Sequence, residues 1–211
     1  MTGQPAPATR RSPGRPPGAS REDVVAAARL RFRRLERVDV VALCADLGVG
    51  RVTVYRWFGS REGLLSEVLA AETEEVFATA RRRARGTGAQ RLLDVFDDVN
   101  RVFAGSAALR HFVRTEPQAA RRTVLSTTGT VHERCVALVA DAVQEEVRTG
   151  AYVPTVDVGT LAYAIERLAV AFLYDDAGTD VRGDVDRLRE VEAALLGTSP
   201  GPRRRAPRGA S

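Results

Sequence analysis

The chain has 211 residues, 44% of them apolar, and carries a formal net charge of +5 from 32 basic and 27 acidic residues. That is enough apolar material for one or two small helical domains. No apolar run approaches the ~20 residues that a bilayer span needs, and the polar, Pro-rich start is not a secretory signal, so a cytoplasmic location without membrane contact is expected.

Residues 1–19 are mostly Pro, Gly, Ala, Ser and Arg, with almost nothing to bury, and are expected to be a disordered basic arm. Within it, Pro13-Gly14-Arg15-Pro16 resembles the core of an AT-hook, in which Arg15 would enter a narrow minor groove. The other reading is a solvated tail. Ser20 caps a first helix, with Asp23 in the capping-box position, and Val24, Ala28, Phe32 and Leu35 form its inward stripe. Arg29, Arg31, Arg33 and Arg34 decorate the rest as a mostly solvated face, from which one or two could reach phosphates. Asp39 caps a second helix.

Residues 43–58, L-C-A-D-L-G-V-G-R-V-T-V-Y-R-W-F, read as two short helices joined by a tight turn. Leu43, Cys44 and Leu47 face inward, and Gly48 ends the helix where a left-handed residue is favoured. Gly50 opens the next helix, whose Val54 and Phe58 lie four apart on its buried side. A short Gly-containing turn between two helices is a helix-turn-helix, and its second helix is the one that enters a major groove of double-stranded DNA. Arg51, Val52, Thr53, Tyr55, Arg56 and Trp57 are left for that face. Arg51, Thr53 and Arg56 suit base edges; Tyr55 and Trp57 suit the backbone. Ser60 then caps a long helix running to about residue 85, with Leu65, Leu69, Val76 and Ala80 on one side. Its first turn, with Arg61, would favour a phosphate.

These residues carry a family resemblance. The stretch resembles the TetR family of bacterial one-component repressors, whose usual pattern is I-A-x-x-A-G-V-S-x-x-T-L-Y-x-Y-F followed by a small loop and K-E-x-L. Leu43, Cys44, Leu47, Gly48, Val49, Thr53, Val54, Tyr55, Trp57 and Phe58 are in register, as are Gly59, Ser60, Arg61, Glu62 and Leu64 after them. Gly50 departs from the family's Ser N-cap, a change worth a few tenths of a kcal/mol. The resemblance implies an all-α, TetR-like dimer: a helix-turn-helix domain at 20–67 and a carboxy-terminal ligand-binding and dimerisation bundle at 68–197. A disordered basic tail at 198–211 would follow.

The remaining elements fit that expectation. Leu92, Val95, Phe96, Val99 and Phe103 form one stripe. A short helix covers 107–114, Pro117 opens another that carries Val124 and Leu125, and Val131, Cys135, Leu138, Val139 and Ala142 form a further stripe. Gly150, Pro154, Asp157, Leu161 and Ala162 match a loop seen before the last long helices of the TetR family. Residues 161–174 are apolar on most sides, so one side needs a cover, which in this family is a second copy of the protein. Glu166 and Arg167 would pair either across that homodimer interface or along the helix. Val181, Val185, Leu188 and Leu195 form the last helix.

The resemblance also implies a small-molecule pocket for an apolar or amphipathic effector. Candidate wall residues are Phe96, Val99, Phe103, His111, Phe112, Leu125, Tyr163 and Arg167, with plain core packing as the competing role of each aromatic. The segments E-R-L-A-V-A-F-L-Y-D-D and G-R-V-T-V-Y-R-W-F-G-S-R-E resemble a TetR subgroup linked to quorum-signal or lactone breakdown.

All 32 basic residues are Arg, which fits the codon bias of a GC-rich genome. Their placement is more informative. Residues 1–66 hold twelve Arg against six acids, whereas residues 86–202 hold twelve against seventeen. A basic end on an acidic body suits a phosphate-binding module. Cys44 and Cys135 read as buried hydrophobes. No cofactor, metal or catalytic motif is present; His132-Glu133 lacks a second His and is expected on an exposed helix face. The expected function is a homodimeric repressor released by a ligand, with an activator or a ligand-independent DNA-binding protein as the alternative.

Overall fold

The structure is a computed structural model that describes residues 19–174, 180–181 and 183–201. The AT-hook-like Arg15 and most of both basic tails lie outside these residues. Among the described residues ten helices follow one another: α1 (Arg21–Arg33), α2 (Val40–Leu47), α3 (Arg51–Phe58), α4 (Arg61–Arg83), α5 (Gly88–Gly105), α6 (Ala107–Thr115), α7 (Pro117–Thr123), α8 (Thr130–Arg148), α9 (Val158–Leu173) and α10 (Val185–Leu196). A lone antiparallel bridge, Tyr174 to Val181, is the only β pairing among the described residues. No described helix is long and apolar enough to cross a membrane.

The caps set the helix starts. Ser20 and Asp23 bond each other's backbone N–H groups, Asp39 accepts from Val41 and Ala42, and Ser60 accepts from Gly63. Gly48 ends α2 at φ 64°, a conformation that disfavours a Cβ. Leu35 departs from the expected stripe. The first helix stops at Arg33, and Leu35 sits beyond it at φ 62° and is exposed.

Two cores meet along α4. The first packs Val24, Phe32, Leu43, Val54 and Phe58 of the helix-turn-helix against Leu65, Leu109, Phe112 and Leu173. The second packs Phe77, Leu92, Phe96, Val139, Leu161 and Ile165. Phe32 meets Phe112 edge-to-face at 5.9 Å, so the helix-turn-helix shares a core with α6 rather than hanging from a linker. The boundary expected between residues 67 and 68 falls inside α4.

Charges lock α1 onto α4. Arg29 and Arg33 both pair with Glu72 and Glu75, and Arg31 pairs with Asp46. These arginines are docking groups, not a solvated face. Two further expectations shift. Val124 and Leu125 lie just past the end of α7, and Val181 precedes α10 in the bridge.

Candidate nucleic-acid interface and internal cavity

The helix-turn-helix is built as its apolar spacing dictates. Val54 and Phe58 are buried, which turns the opposite side of α3 outward. Arg51, Val52, Tyr55 and Arg56 are exposed there, Val52 by 83%. Arg51 and Arg56 have no carboxylate partner at ion-pairing distance among the described residues, so their guanidinium groups are available to an anionic ligand. Thr53 and Trp57 are half-buried, and Trp57 packs edge-to-face on Phe58 at 6.3 Å. Trp57 is therefore partly a core residue.

Arg61 is placed differently from the sequence expectation. Its Nε donates to the Val38 carbonyl at 2.6 Å, and its terminal nitrogens grip both oxygens of Glu116 at 2.8 and 2.6 Å. Glu116 joins α6 to α7, so this fork ties the start of α4 to the α1–α2 turn and to the bundle. Both side chains are mostly buried. A guanidinium so engaged acts as a clamp, with three of its five N–H groups committed inside the protein. Arg61→Ala is expected to cost about 1–3 kcal/mol in chemical denaturation. It should leave the salt dependence of DNA binding unchanged, whereas loss of a phosphate contact lowers that slope by ~1.

Behind this interface α4 continues into the wall of a cavity of ≈ 100 Å³ lined by α4, α5, α6, α8, α9 and α10. Three expected wall residues line it: Phe96, Val99 and Phe103. The other five stand elsewhere. In α6, Leu109, Phe112 and Val113 take the inward face, which leaves His111 exposed beside an open cleft. Phe112 faces Phe32. Leu125 packs against the first core. Tyr163 is 49% exposed, because Leu161, Ala162 and Ile165 claim the inner side of α9. Arg167 is half-buried beside Glu166, 3.8 Å from it.

The sequence reading missed the polar wall residues, among them Thr73, Asn100, Cys135, Glu166 and Glu192. A signal existed for Asn100, which stands four residues after Phe96 within the apolar stripe. Glu166 turns into the bundle, with Nδ1 of His132 at 3.0 Å and Arg167 beside it along the same helix. His132 is thus nearly buried rather than exposed, its ring edge-on to Tyr163 at 5.7 Å. Burial, aided by the Glu166 charge, pushes the Cys135 thiol up to about 12, so it stays a neutral thiol.

The profile described as tetracyclin repressor-like, C-terminal domain, matches residues 87–197. The chain belongs to the TetR family. Among solved structures, this TetR protein is similar to the transcriptional repressor QsdR of R. erythropolis, with 29% identity and a TM-score of 0.79 over 87% of this chain and 97% of that one. It is also similar to AlkX, a TetR family repressor from Dietzia sp. implicated in biodegradation of n-alkanes. There the identity is 19% and the TM-score 0.54 over 85% of this chain and 99% of that one, a likeness of fold. No curated protein sequence matches it.

Proposed function

We propose that this TetR protein is a homodimeric, cytoplasmic repressor that binds a pseudo-palindromic operator and is released by a small molecule. One observation carries the reading. A single helix, α4, starts at the recognition helix and ends as a wall of the internal cavity. A ligand that prefers one tilt of α4 would change the spacing of two recognition helices, a coupling typically worth 1–3 kcal/mol. In support of a dimer, the outer side of α9 presents Tyr163, Ala164, Leu168, Ala171 and Phe172 half-buried or exposed, an apolar face suited to a second copy. Arg51, Val52, Thr53, Tyr55 and Arg56 would read or hold the DNA, and Trp57 would brace them.

A footprint on the DNA flanking its own gene, at two salt concentrations, tests this. A protected pseudo-palindrome that weakens steeply with salt is expected. Arg51→Ala should lose ~1–3 kcal/mol of discrimination while keeping nonspecific binding. Protection spread evenly along the DNA, unaffected by Arg51→Ala, would instead indicate binding without reading.

A further inference from the structure

The cavity wall contains a group that an oily pocket would not tolerate without reason. Glu192 of α10 is wholly buried. Its Oε1 accepts from Asn100 Nδ2 at 3.0 Å, and its Oε2 has no hydrogen-bond partner. Asn100 and Glu192 both line the cavity, whose other walls include Phe77, Phe96, Ile165 and Leu173. With Oε1 already an acceptor, a neutral carboxyl places its hydrogen on Oε2, a donor with nothing to meet.

We infer that the cavity takes a small, neutral, mostly apolar molecule with one accepting oxygen, a ketone or ester carbonyl, which the Glu192 carboxyl O–H engages. The inference rests on the effector-responsive reading above and names the chemical class of that effector.

The surroundings decide the class. Burial is the main force holding the Glu192 carboxyl neutral, to about 8. The Asn100 hydrogen bond opposes it, the Asp97 carboxylate adds to it, and Arg189 opposes it. An anionic ligand would find no Arg or His on the wall and would face Glu166 and Glu192. A cationic ligand would need a fresh carboxylate. Glu166 already has the Arg167 guanidinium at 3.8 Å and His132 Nδ1 at 3.0 Å, and ionising Glu192 would place a second charge beside buried Asp97. Asp97 is itself held by Arg101 and Arg189. A pure hydrocarbon would leave the donor bare. Size narrows the class further. A cavity of about 150 Å³ admits benzene, so ≈ 100 Å³ suits a molecule of roughly four or five non-hydrogen atoms.

Three probes of one shape test this on the full chain: butanone, 2-methyl-1-butene and sec-butylamine, titrated by calorimetry. Butanone should bind at least tenfold more tightly than the other two. Glu192→Leu should abolish that preference and leave 2-methyl-1-butene binding intact. Glu192→Gln, whose amide N–H can still donate, should keep it. Equal binding of ketone and hydrocarbon, a preference for the amine, or a preference that survives Glu192→Leu would overturn the carbonyl class while leaving an effector cavity. If none of the three binds, the inference and the effector cavity fall together, while operator binding by α3 stands or falls on its own footprint.

Discussion

The stability of the protein should fall as pH rises from about 5 to 8, and Glu192→Gln should remove most of that slope. The carboxyl ordinarily titrates at 4.5 but is held protonated to about 8 in the fold. Below 4.5 both folded and unfolded chains carry the proton, so the group is silent. Between the two values only the folded chain keeps it, and stability drops by about 1.4 kcal/mol per pH unit. The sum is on the order of 4–5 kcal/mol, complete above pH 8. The exposed caps Asp23, Asp39 and Asp157, whose hydrogen bonds lower their values, act in the opposite sense and at more acid pH. Denaturant curves for the wild type and Glu192→Gln across pH 4–9 isolate the term. Curves that stay parallel throughout would mean that Glu192 is ionised in the fold.

Gly63→Ala should cost both stability and operator binding. Gly63 lies in the first turn of α4, and its N–H reaches the Ser60 cap at 3.0 Å. A Cβ there would sit 1.9 Å from the Phe58 carbonyl oxygen, and backbone cannot yield as a flexible side chain can. Phe58 closes the recognition helix and is anchored in the core, so the end of α3 must move. A loss of roughly 2–4 kcal/mol is expected, with operator affinity falling at least tenfold in a binding titration. Gly105→Ala is the control. A Cβ there meets nothing within 4 Å, and the change should be neutral or slightly stabilising. Equal behaviour of the two variants would rule out the close approach as the reason for glycine at 63.

The comparison of sequence with structure follows the range of the forces involved. Ser20, Asp39, Gly48 and Ser60 end or begin helices through bonds to backbone groups a few residues away, and the sequence places them as the structure does. The pair Val54 and Phe58 fixes which side of α3 is buried, and thereby exposes Arg51, Val52, Tyr55 and Arg56. Local periodicity suffices for such statements, because a helix carries its own ruler.

Partners of charged side chains need the tertiary structure. Arg61 reads as a phosphate ligand until α6 and α7 bring Glu116 to it across 55 residues. Arg29 and Arg33 read as solvated until α4 presents Glu72 and Glu75. The apolar stripe of α10 does not include Arg189 and Glu192, yet both are buried against Asp97 and Asn100 of α5. The sequence by itself determined the all-helical family fold, the caps and the exposed face of α3. Only the packing of distant helices decided which charges are buried, which wall residues meet, and that one carboxyl oxygen of Glu192, a cavity-wall residue, is left without a hydrogen-bond partner. A charge buries only where another element supplies its partner, and no local pattern encodes that partner.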